Sequence, residues 1–186
     1  MELDIIKDEE KRMNQIMFLF YVAIPIEATL FVILFNHGGA RDSVALLMIP
    51  CGVMVHLNRE RIGKYAKYLY ISILPLLGVV IIIAGTPGAF GAMAMAYFLV
   101  LFLSIPYYDL DVVKFCAVIT VVPNALGMLL FSKSYFALHN LCIWVFILLV
   151  YLIGVVVAFL IVKRARQLFY DIEEKEIDHI SLNYLS

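Results

Sequence analysis

The chain has 186 residues, of which 64% are hydrophobic and only 16% are charged, and its formal net charge is -1. Soluble domains usually carry about 45–50% apolar and about 25% charged residues, so this composition excludes an ordinary soluble protein and indicates an integral membrane protein. The nearly neutral charge gives no reason to expect nucleic acid as a partner.

A charged N-terminal segment, residues 1–15, precedes six long apolar stretches. A bilayer core about 30 Å thick requires roughly 20 helical residues, and each stretch meets or approaches that length. The stretches are continuously apolar rather than alternating, which favours helices over a β-barrel. We therefore predict an all-α fold, with a six-helix transmembrane bundle over residues 16–162 whose spans are 16–35, 43–57, 65–84, 89–107, 112–131 and 138–162.

Basic residues are distributed unevenly between the connections. If the N-terminus is cytoplasmic, twelve of the 14 Lys and Arg side chains lie inside, and only Arg41 and Lys133 lie outside. Because cytoplasmic loops carry an excess of Lys and Arg, we predict a multi-pass protein of the inner (plasma) membrane with both termini in the cytoplasm. The outer connections are too short for a domain, so an external stimulus is expected to act on the bundle itself.

Glu27 lies about halfway along the first span, where a charged side chain costs at least about 2.5–3.5 kcal/mol. Counted at about 1.5 Å per residue, Glu27 and Asn124 lie at the same depth, roughly 17 Å from the cytoplasmic edge, and Tyr97 falls near that level. These three residues predict a ligand-binding site for a cationic or hydrogen-bonding small molecule, a proton or a sodium ion. The alternative for Glu27 is a protonated carboxyl group that hydrogen-bonds a neighbouring helix.

Prolines recur within the spans, and each removes a backbone donor and clashes with a carbonyl one turn earlier. Pro25 and Pro123 lie beside Glu27 and Asn124, so they predict kinks at the polar level. We interpret Pro25, Pro75 and Pro123 as hinges, with Pro50 and Pro106 as further prolines in the spans. The alternative is that they have no special role, because proline is common in membrane helices.

Motifs for metal binding and catalysis are absent from the sequence. Cys51, Cys116 and Cys142 lie in apolar stretches without CxxC or Cys/His spacing, and the four histidines are isolated from one another. There is no HExxH, GxSxG or P-loop lysine. We therefore predict neither a metal nor a cofactor, and no enzymatic activity for this segment.

The stretch "YYDLDVV" places Asp109 and Asp111 at a cytoplasmic turn before the fifth span. Carboxylates at this position satisfy free N–H groups and meet the positive end of the helix dipole. Such a pair also holds a divalent cation and a nucleotide phosphate in some transferases. We favour helix capping over a cation site.

Small and aromatic residues also form patterns in the spans. Gly154 and Ala158 share one face of the sixth span, which predicts a close helix contact, either inside one bundle or across a dimer. Tyrosines near the ends of spans, including Tyr107 and Tyr135, are typical of an aromatic belt at the membrane surface.

After Val162 the chain changes abruptly to "KRARQLFYDIEEKEIDHISLNYLS", a basic anchor followed by an acidic, helix-favouring stretch. Apolar residues at a 4-3-4 spacing form a seam that resumes after a break in phase, which indicates a coiled-coil pairing face. We predict that the sixth span continues as a cytoplasmic signalling or linker helix over residues 163–186, with Leu168, Ile172, Ile177 and Ile180 in the seam. The alternative is a solvated amphipathic tail.

Six short-looped spans that leave through "VKRARQLFYDIEEKEIDHISLNYLS" resemble the N-terminal sensory region of bacterial signalling receptors. In those receptors the cytoplasmic output is a diguanylate cyclase, a sensor histidine kinase or a chemotaxis signalling domain, and "IDHISLNYLS" looks most like the linker helix that leads into such an output. The resemblance implies a membrane-embedded sensory input module that forms a homodimer through span six and the C-terminal helix. Its expected partners are a small-molecule or ion ligand in the bundle and the lipid bilayer.

A small transporter is the alternative function. Substrate-binding subunits of vitamin importers also have six spans in about this length, and a carboxylate at the midplane suits a substrate or a coupling ion. However, their alanine-rich first helix is missing here, and a long charged C-terminal helix would have no obvious task in transport.

Overall fold

The computed structural model of the protein describes residues 2–35, 45–84, 89–136 and 141–185, and these residues form helices joined by short turns, without any strand. Two short 3-10 turns, Gly63–Tyr65 and Ile105–Tyr107, connect α2 to α3 and α4 to α5. The α-helices in chain order are α1 Glu2–Phe35, α2 Met48–Ile62, α3 Ala66–Ala84, α4 Ala89–Ser104, α5 Leu110–Leu130, α6 Ser132–Tyr135 and α7 Leu141–Leu185.

Each of the six predicted stretches overlaps one of the helices α1 to α5 and α7, and the differences lie at the ends. The largest difference at a start is in α1, which includes the charged N-terminal segment and begins at Glu2. At the other end of the chain, α7 continues unbroken for 45 residues to Leu185, so the predicted continuation of the last span as a helix is confirmed. Leu138 and the first residues of the second span lie outside the described residues.

Within the residues that the structure describes, three stretches are long and apolar enough to cross a membrane: Ala45–Ala84, Leu110–Leu130 and Val145–Ile172. The stretch Met93–Tyr107 is apolar but shorter. Large apolar side chains remain exposed on all of these helices, for example Met95 at 76%, Leu129 at 79% and Ile153 at 63%. Such surfaces are costly in water but favourable in lipid, which agrees with a membrane protein.

The centre of the molecule is α3, which packs against α1, α2, α4 and α5. Its residues Tyr70, Ile71 and Leu74 are completely buried. Helices α1 and α2 also pack against each other, and α7 packs against α4 and α5. The long C-terminal helix is therefore in direct contact with the two helices that carry Tyr97 and Asn124.

A cluster of three charged side chains ties one end of the bundle together. Lys67 at the start of α3 donates to Glu10 of α1 at 3.2 Å and to Asp109 at 2.9 Å. Only 12% of the Lys67 side chain is exposed, so this pairing, the Lys67 cluster, is largely shielded from water. Beside it, the hydroxyl of Tyr107 donates to Asn14 Oδ1 at 2.9 Å, which adds a second link between α1 and the α4–α5 connection.

Asp109 also caps α5, because its Oδ1 accepts the backbone N–H of Asp111 at 2.9 Å. The predicted capping role is confirmed. Burial by itself raises the pKa of Asp109, but the hydrogen bonds from Lys67 and from the Asp111 backbone outweigh it and hold the pKa below its ordinary value. One carboxylate thus starts α5 and joins it to α3.

The lowered pKa of Asp109 predicts a pH dependence of stability. A carboxyl group with a depressed folded-state pKa contributes its stabilisation above the unfolded value of about 3.9 and loses it as the pH falls through the folded value. We expect Asp109→Asn to lower the melting temperature clearly at pH 7 and much less at pH 3. Thermal unfolding in detergent at both values measures this difference, and an equal shift at both values would contradict the assignment.

Candidate functional site

Asn124 of α5 is the centre of a buried hydrogen-bond network. Its Oδ1 accepts a hydrogen bond from the hydroxyl of Tyr97 on α4 at 3.2 Å and another from the hydroxyl of Tyr135 on α6 at 3.3 Å. Its Nδ2 donates to the backbone carbonyl of Thr120 at 2.8 Å, one turn earlier. Asn124 is 7% exposed and Tyr97 is 5% exposed, so the predicted convergence of these two residues is confirmed.

Tyr97 reaches Asn124 across a glycine of α3. A Cβ atom on Gly78 would lie 2.5 Å from the Tyr97 hydroxyl oxygen and 2.9 Å from its ring. The missing side chain therefore leaves the space that the phenol occupies. The phenol of Tyr135 packs on Gly127 in the same way, and the Cβ atom of Tyr21 lies against Gly52. In the described part of the chain, three tyrosines therefore pack against glycines.

We expect Gly78→Ala to displace Tyr97 and weaken its hydrogen bond to Asn124. Alanine favours a helix over glycine by about 0.5–1 kcal/mol, but overpacking a close contact costs about 1–3 kcal/mol, so a net loss of about 1 kcal/mol is expected. Gly154→Ala is the matched control, because its Cβ would meet only side-chain carbons of Leu101 and Phe98 at 3.3 and 3.4 Å. Denaturant unfolding in micelles measures both, and equal effects would contradict the tight contact.

A pocket of about 50 Å³ adjoins the network, which is space for a few water molecules or a small organic group. We call it the Asn124 pocket. Its lining comes from α4, α5 and α7 and consists of Tyr97, Thr120, Val121, Asn124, Ala125, Met128, Leu148 and Tyr151.

Thr120 gives the pocket an unused polar group. Its side chain is 4% exposed, and its buried Oγ1 makes no hydrogen bond of good geometry to any residue that the structure describes, although the Tyr151 hydroxyl and the Cys116 sulfur lie near it. A buried hydroxyl without a partner costs roughly 1–3 kcal/mol, and such groups need a water, a ligand or another explanation. The pocket therefore combines apolar walls with one hydroxyl available to a ligand.

One wall of the pocket is formed by α7, the C-terminal helix. Tyr151 is 3% exposed, and its hydroxyl lies 3.8 Å from the Cys116 sulfur of α5. Its ring packs edge-on against Phe98 of α4 at 5.4 Å between centroids. One and two turns further along α7, Gly154 faces Leu101 and Phe98, and Ala158 is 1% exposed, so this small-residue face packs inside the chain.

Glu27 does not join this site. Its side chain is exposed on the surface of α1, so the prediction that it meets Asn124 and Tyr97 in the bundle is wrong in its geometry. The reason is the rotation of α1, which turns Met13, Met17, Tyr21 and Pro25 inward at a spacing of four residues. Glu27 follows Pro25 by two residues, or about 200° around a helix of 3.6 residues per turn.

The three predicted hinge prolines all lie inside long helices: Pro25 in α1, Pro75 in α3 and Pro123 in α5. Pro50 lies instead in the first turn of α2, where its missing N–H removes no helical bond. Pro106 lies in the 3-10 turn after α4. Of the prolines in the described ranges, Pro25, Pro75 and Pro123 therefore lie where a proline interrupts a helix, and their action as hinges remains a prediction.

The predicted signalling seam lies on α7. Leu168 is 47% exposed and Ile172 is 61% exposed, so both are available for pairing. Ile177 and Ile180 also lie in the helix, but their side chains are outside the described residues. Among the described residues there is no group of three His, Cys, Asp or Glu side chains that could hold a metal ion.

Sequence reasoning missed Thr120, Tyr135 and Tyr151 as site residues. The aromatic-belt interpretation predicts that Tyr135 and Tyr107 face the membrane surface, but they are 1% and 2% exposed, so both side chains pack inside the chain. Thr120 could have been found from the sequence, because it precedes Asn124 by one helical turn and so lies on the same face of α5.

No family model matches the chain, and neither a curated protein nor a solved structure matches it. The interpretation of the site therefore rests on its geometry and chemistry.

Proposed function

We propose that the chain is the membrane-embedded sensory input module of a bacterial signalling receptor. A small ligand occupies the Asn124 pocket, and α7 carries the response to the cytoplasm. The observation that carries the proposal is the shared wall: Leu148 and Tyr151 line the pocket and belong to the same unbroken helix that runs to Leu185.

The membrane arrangement proposed here is six spans, α1 to α5 and α7, in the inner (plasma) membrane with both termini in the cytoplasm. Support comes from the Lys67 cluster, which brings the N-terminal half of α1 to the starts of α3 and α5. Phe169 of α7 packs against Tyr108 at this same end, 5.2 Å between centroids. Helices α1, α3 and α5 therefore begin at the same end of the bundle, and α7 leaves the bundle at that end. This is the alternation of direction that consecutive membrane spans require.

The exposed position of Glu27 changes the ligand that we propose. The Asn124 pocket has hydroxyl, phenol and amide groups but no charged side chain among its lining residues. Ion binding in a low-dielectric site without an opposite charge is expensive, which favours a neutral molecule. We propose a small, mostly apolar ligand that exchanges a hydrogen bond with Thr120 Oγ1.

The response is proposed to travel along α7 as a change in its position. The ligand lies between α5 and α7 and has different contacts in the two states of the bundle, which is what shifting an equilibrium requires. The face of α7 away from the bundle carries exposed Ile153, Leu160, Leu168 and Ile172. This face supports the proposed homodimer through span six and the C-terminal helix.

A reporter fusion tests the proposal without knowledge of the ligand. The chain is joined after Ser186 to a kinase or cyclase output domain, and Val121→Phe fills the pocket with a larger side chain. We expect the basal output to change at least threefold in either direction, because the added ring separates α5 from α7. Membrane levels of each variant are measured alongside.

Val118→Phe is the matched control, since it introduces the same ring on α5 at a position that is 59% exposed and does not line the pocket. Its output is expected to stay within a factor of about 1.5 of the unmodified fusion. An unchanged output for Val121→Phe, or the same change for both variants, would reject the sensor proposal.

A further inference from the structure

A second, larger pocket lies at the charged end of the bundle, between α1 and α2. Its volume is about 550 Å³, within the range of about 300–1,000 Å³ that is usual for ligand sites. We call it the Arg59 pocket, and its lining residues are Glu10, Lys11, Asn14, Gln15, Arg59, Glu60, Gly63 and Lys64. None of them belongs to the Asn124 pocket.

Positive charge exceeds free negative charge in the Arg59 pocket. Lys11, Arg59 and Lys64 contribute three cations, and Glu10 and Glu60 contribute two carboxylates. Glu10 is already paired with Lys67 at 3.2 Å, and Lys11 is paired with Asp8 at 3.9 Å. This leaves Arg59 and Lys64 as the cations that face Glu60. The pocket is therefore suited to an anion.

The local backbone holds the guanidinium of Arg59 and brings Lys64 to the pocket. Arg59 uses Nη1 to donate to the carbonyl of His56 at 3.0 Å, which fixes the guanidinium while its other nitrogens remain available. After α2, Gly63 has φ +57° and turns the chain so that Lys64 also lines the pocket. A residue with a side chain rarely adopts this conformation, so glycine is well suited to the turn.

A buried amide adds a directional donor. Asn14 is 8% exposed and lines the pocket. Its Oδ1 is occupied by the Tyr107 hydroxyl, whereas its Nδ2 donates to no atom in the described part of the chain. An amide N–H beside a guanidinium and two ammonium groups is the donor set that phosphate oxygens accept.

From this geometry we propose that the Arg59 pocket binds a phosphate-bearing anion, with the headgroup of an anionic phospholipid as its occupant. In the proposed orientation the pocket lies at the cytoplasmic membrane surface, where basic pockets between helices bind such headgroups. Arg59 and Lys64 bind the phosphate, Asn14 Nδ2 donates to it, and the acyl chains lie along the exposed apolar faces of α1 and α2. The proposal concerns the chemistry of this pocket and does not depend on the sensor function.

Native mass spectrometry of the full chain, with dioleoyl phosphatidylglycerol as the probe, tests the proposal. Each cation near such a surface contributes about 1 kcal/mol, or about fivefold in affinity. We expect the double variant Arg59→Gln, Lys64→Gln to bind phosphatidylglycerol about 25-fold more weakly. Arg61→Gln, an exposed cation of the same helix that does not line the pocket, is expected to bind within twofold of the unmodified chain.

A gain in binding excludes misfolding as the explanation. Glu60→Gln removes the opposing carboxylate, so we expect it to bind phosphatidylglycerol about fivefold more tightly. Inorganic phosphate, tested by thermal shift, distinguishes a soluble anion from a lipid. If phosphate stabilises the unmodified chain but not the double variant, and no lipid is retained, the pocket is a phosphate site for a soluble anion and the lipid occupant is rejected. Equal weakening by the double variant and Arg61→Gln, or no change in any variant with either probe, would overturn the proposal.

Discussion

Replacing Lys67 by methionine is expected to lower the free energy of unfolding by about 2–3 kcal/mol. The substitution keeps an apolar side chain of similar length but leaves Glu10 and Asp109 without the ammonium that both contact. Breaking a fully buried ion pair costs about 3–5 kcal/mol, whereas an exposed pair contributes about 0–1 kcal/mol. The three side chains are 12%, 23% and 29% exposed, which places the cluster between these limits but nearer to the buried case.

Lys114→Met is the control for this prediction. Lys114 pairs with Asp111 at the same distance of 2.9 Å, but the two side chains are 61% and 74% exposed, so the change should stay within about 0.5 kcal/mol. Chemical denaturation in mixed micelles gives both values. Similar losses for the two variants would mean that burial of the Lys67 cluster does not matter for stability.

Asn124→Ala is expected to destabilise the protein by about 2 kcal/mol. The amide accepts hydrogen bonds from Tyr97 and Tyr135 on other helices, and such bonds between membrane helices contribute about 0.6 kcal/mol on average and up to about 1.7 kcal/mol. It also donates to the Thr120 carbonyl within α5. The variant also removes the acceptor for Tyr97 next to the Asn124 pocket. We therefore expect loss of stability together with an altered basal output in the reporter fusion.

Asn58→Ala is the matched control. Asn58 Nδ2 donates to the carbonyl of Met54 at 2.8 Å, one turn earlier in its helix, as Asn124 does to Thr120, but Asn58 is exposed. Its replacement should change the free energy of unfolding by less than about 0.5 kcal/mol. If both variants lose the same amount, the contacts that join Asn124 to α4 and α6 contribute nothing.

Helix positions were predictable because the bilayer constrains length and backbone hydrogen bonding together. The start of α5 was predictable in detail, since Asp109 has a side chain suited to capping and follows the tight turn at Tyr108. The continuation of α7 beyond Val162 was also predictable, because no glycine or proline interrupts residues 163–185. None of these predictions requires a knowledge of tertiary contacts.

The site was harder to predict, because depth along a helix and rotation about it are separate quantities. Depth correctly grouped Tyr97 with Asn124. The rotation of α1 about its axis places Glu27 on the surface. In the sequence, the four-residue spacing of Met13, Met17 and Tyr21 indicates which face of α1 is buried. Tyr135 was misjudged because a tyrosine near the end of a span can either face the membrane surface or pack on a glycine such as Gly127, and sequence position does not distinguish these two arrangements.

Hydrogen–deuterium exchange of residues 163–185 in lipid nanodiscs tests most directly whether the Asn124 pocket is coupled to the C-terminal helix. The comparison is between the unmodified chain, Val121→Phe and Val118→Phe, with the amides of α3 as an internal reference for folding. We predict that Val121→Phe changes exchange in 163–185 at least threefold while α3 stays protected, and that Val118→Phe leaves both regions unchanged. Identical exchange of residues 163–185 in all three proteins would contradict the coupling.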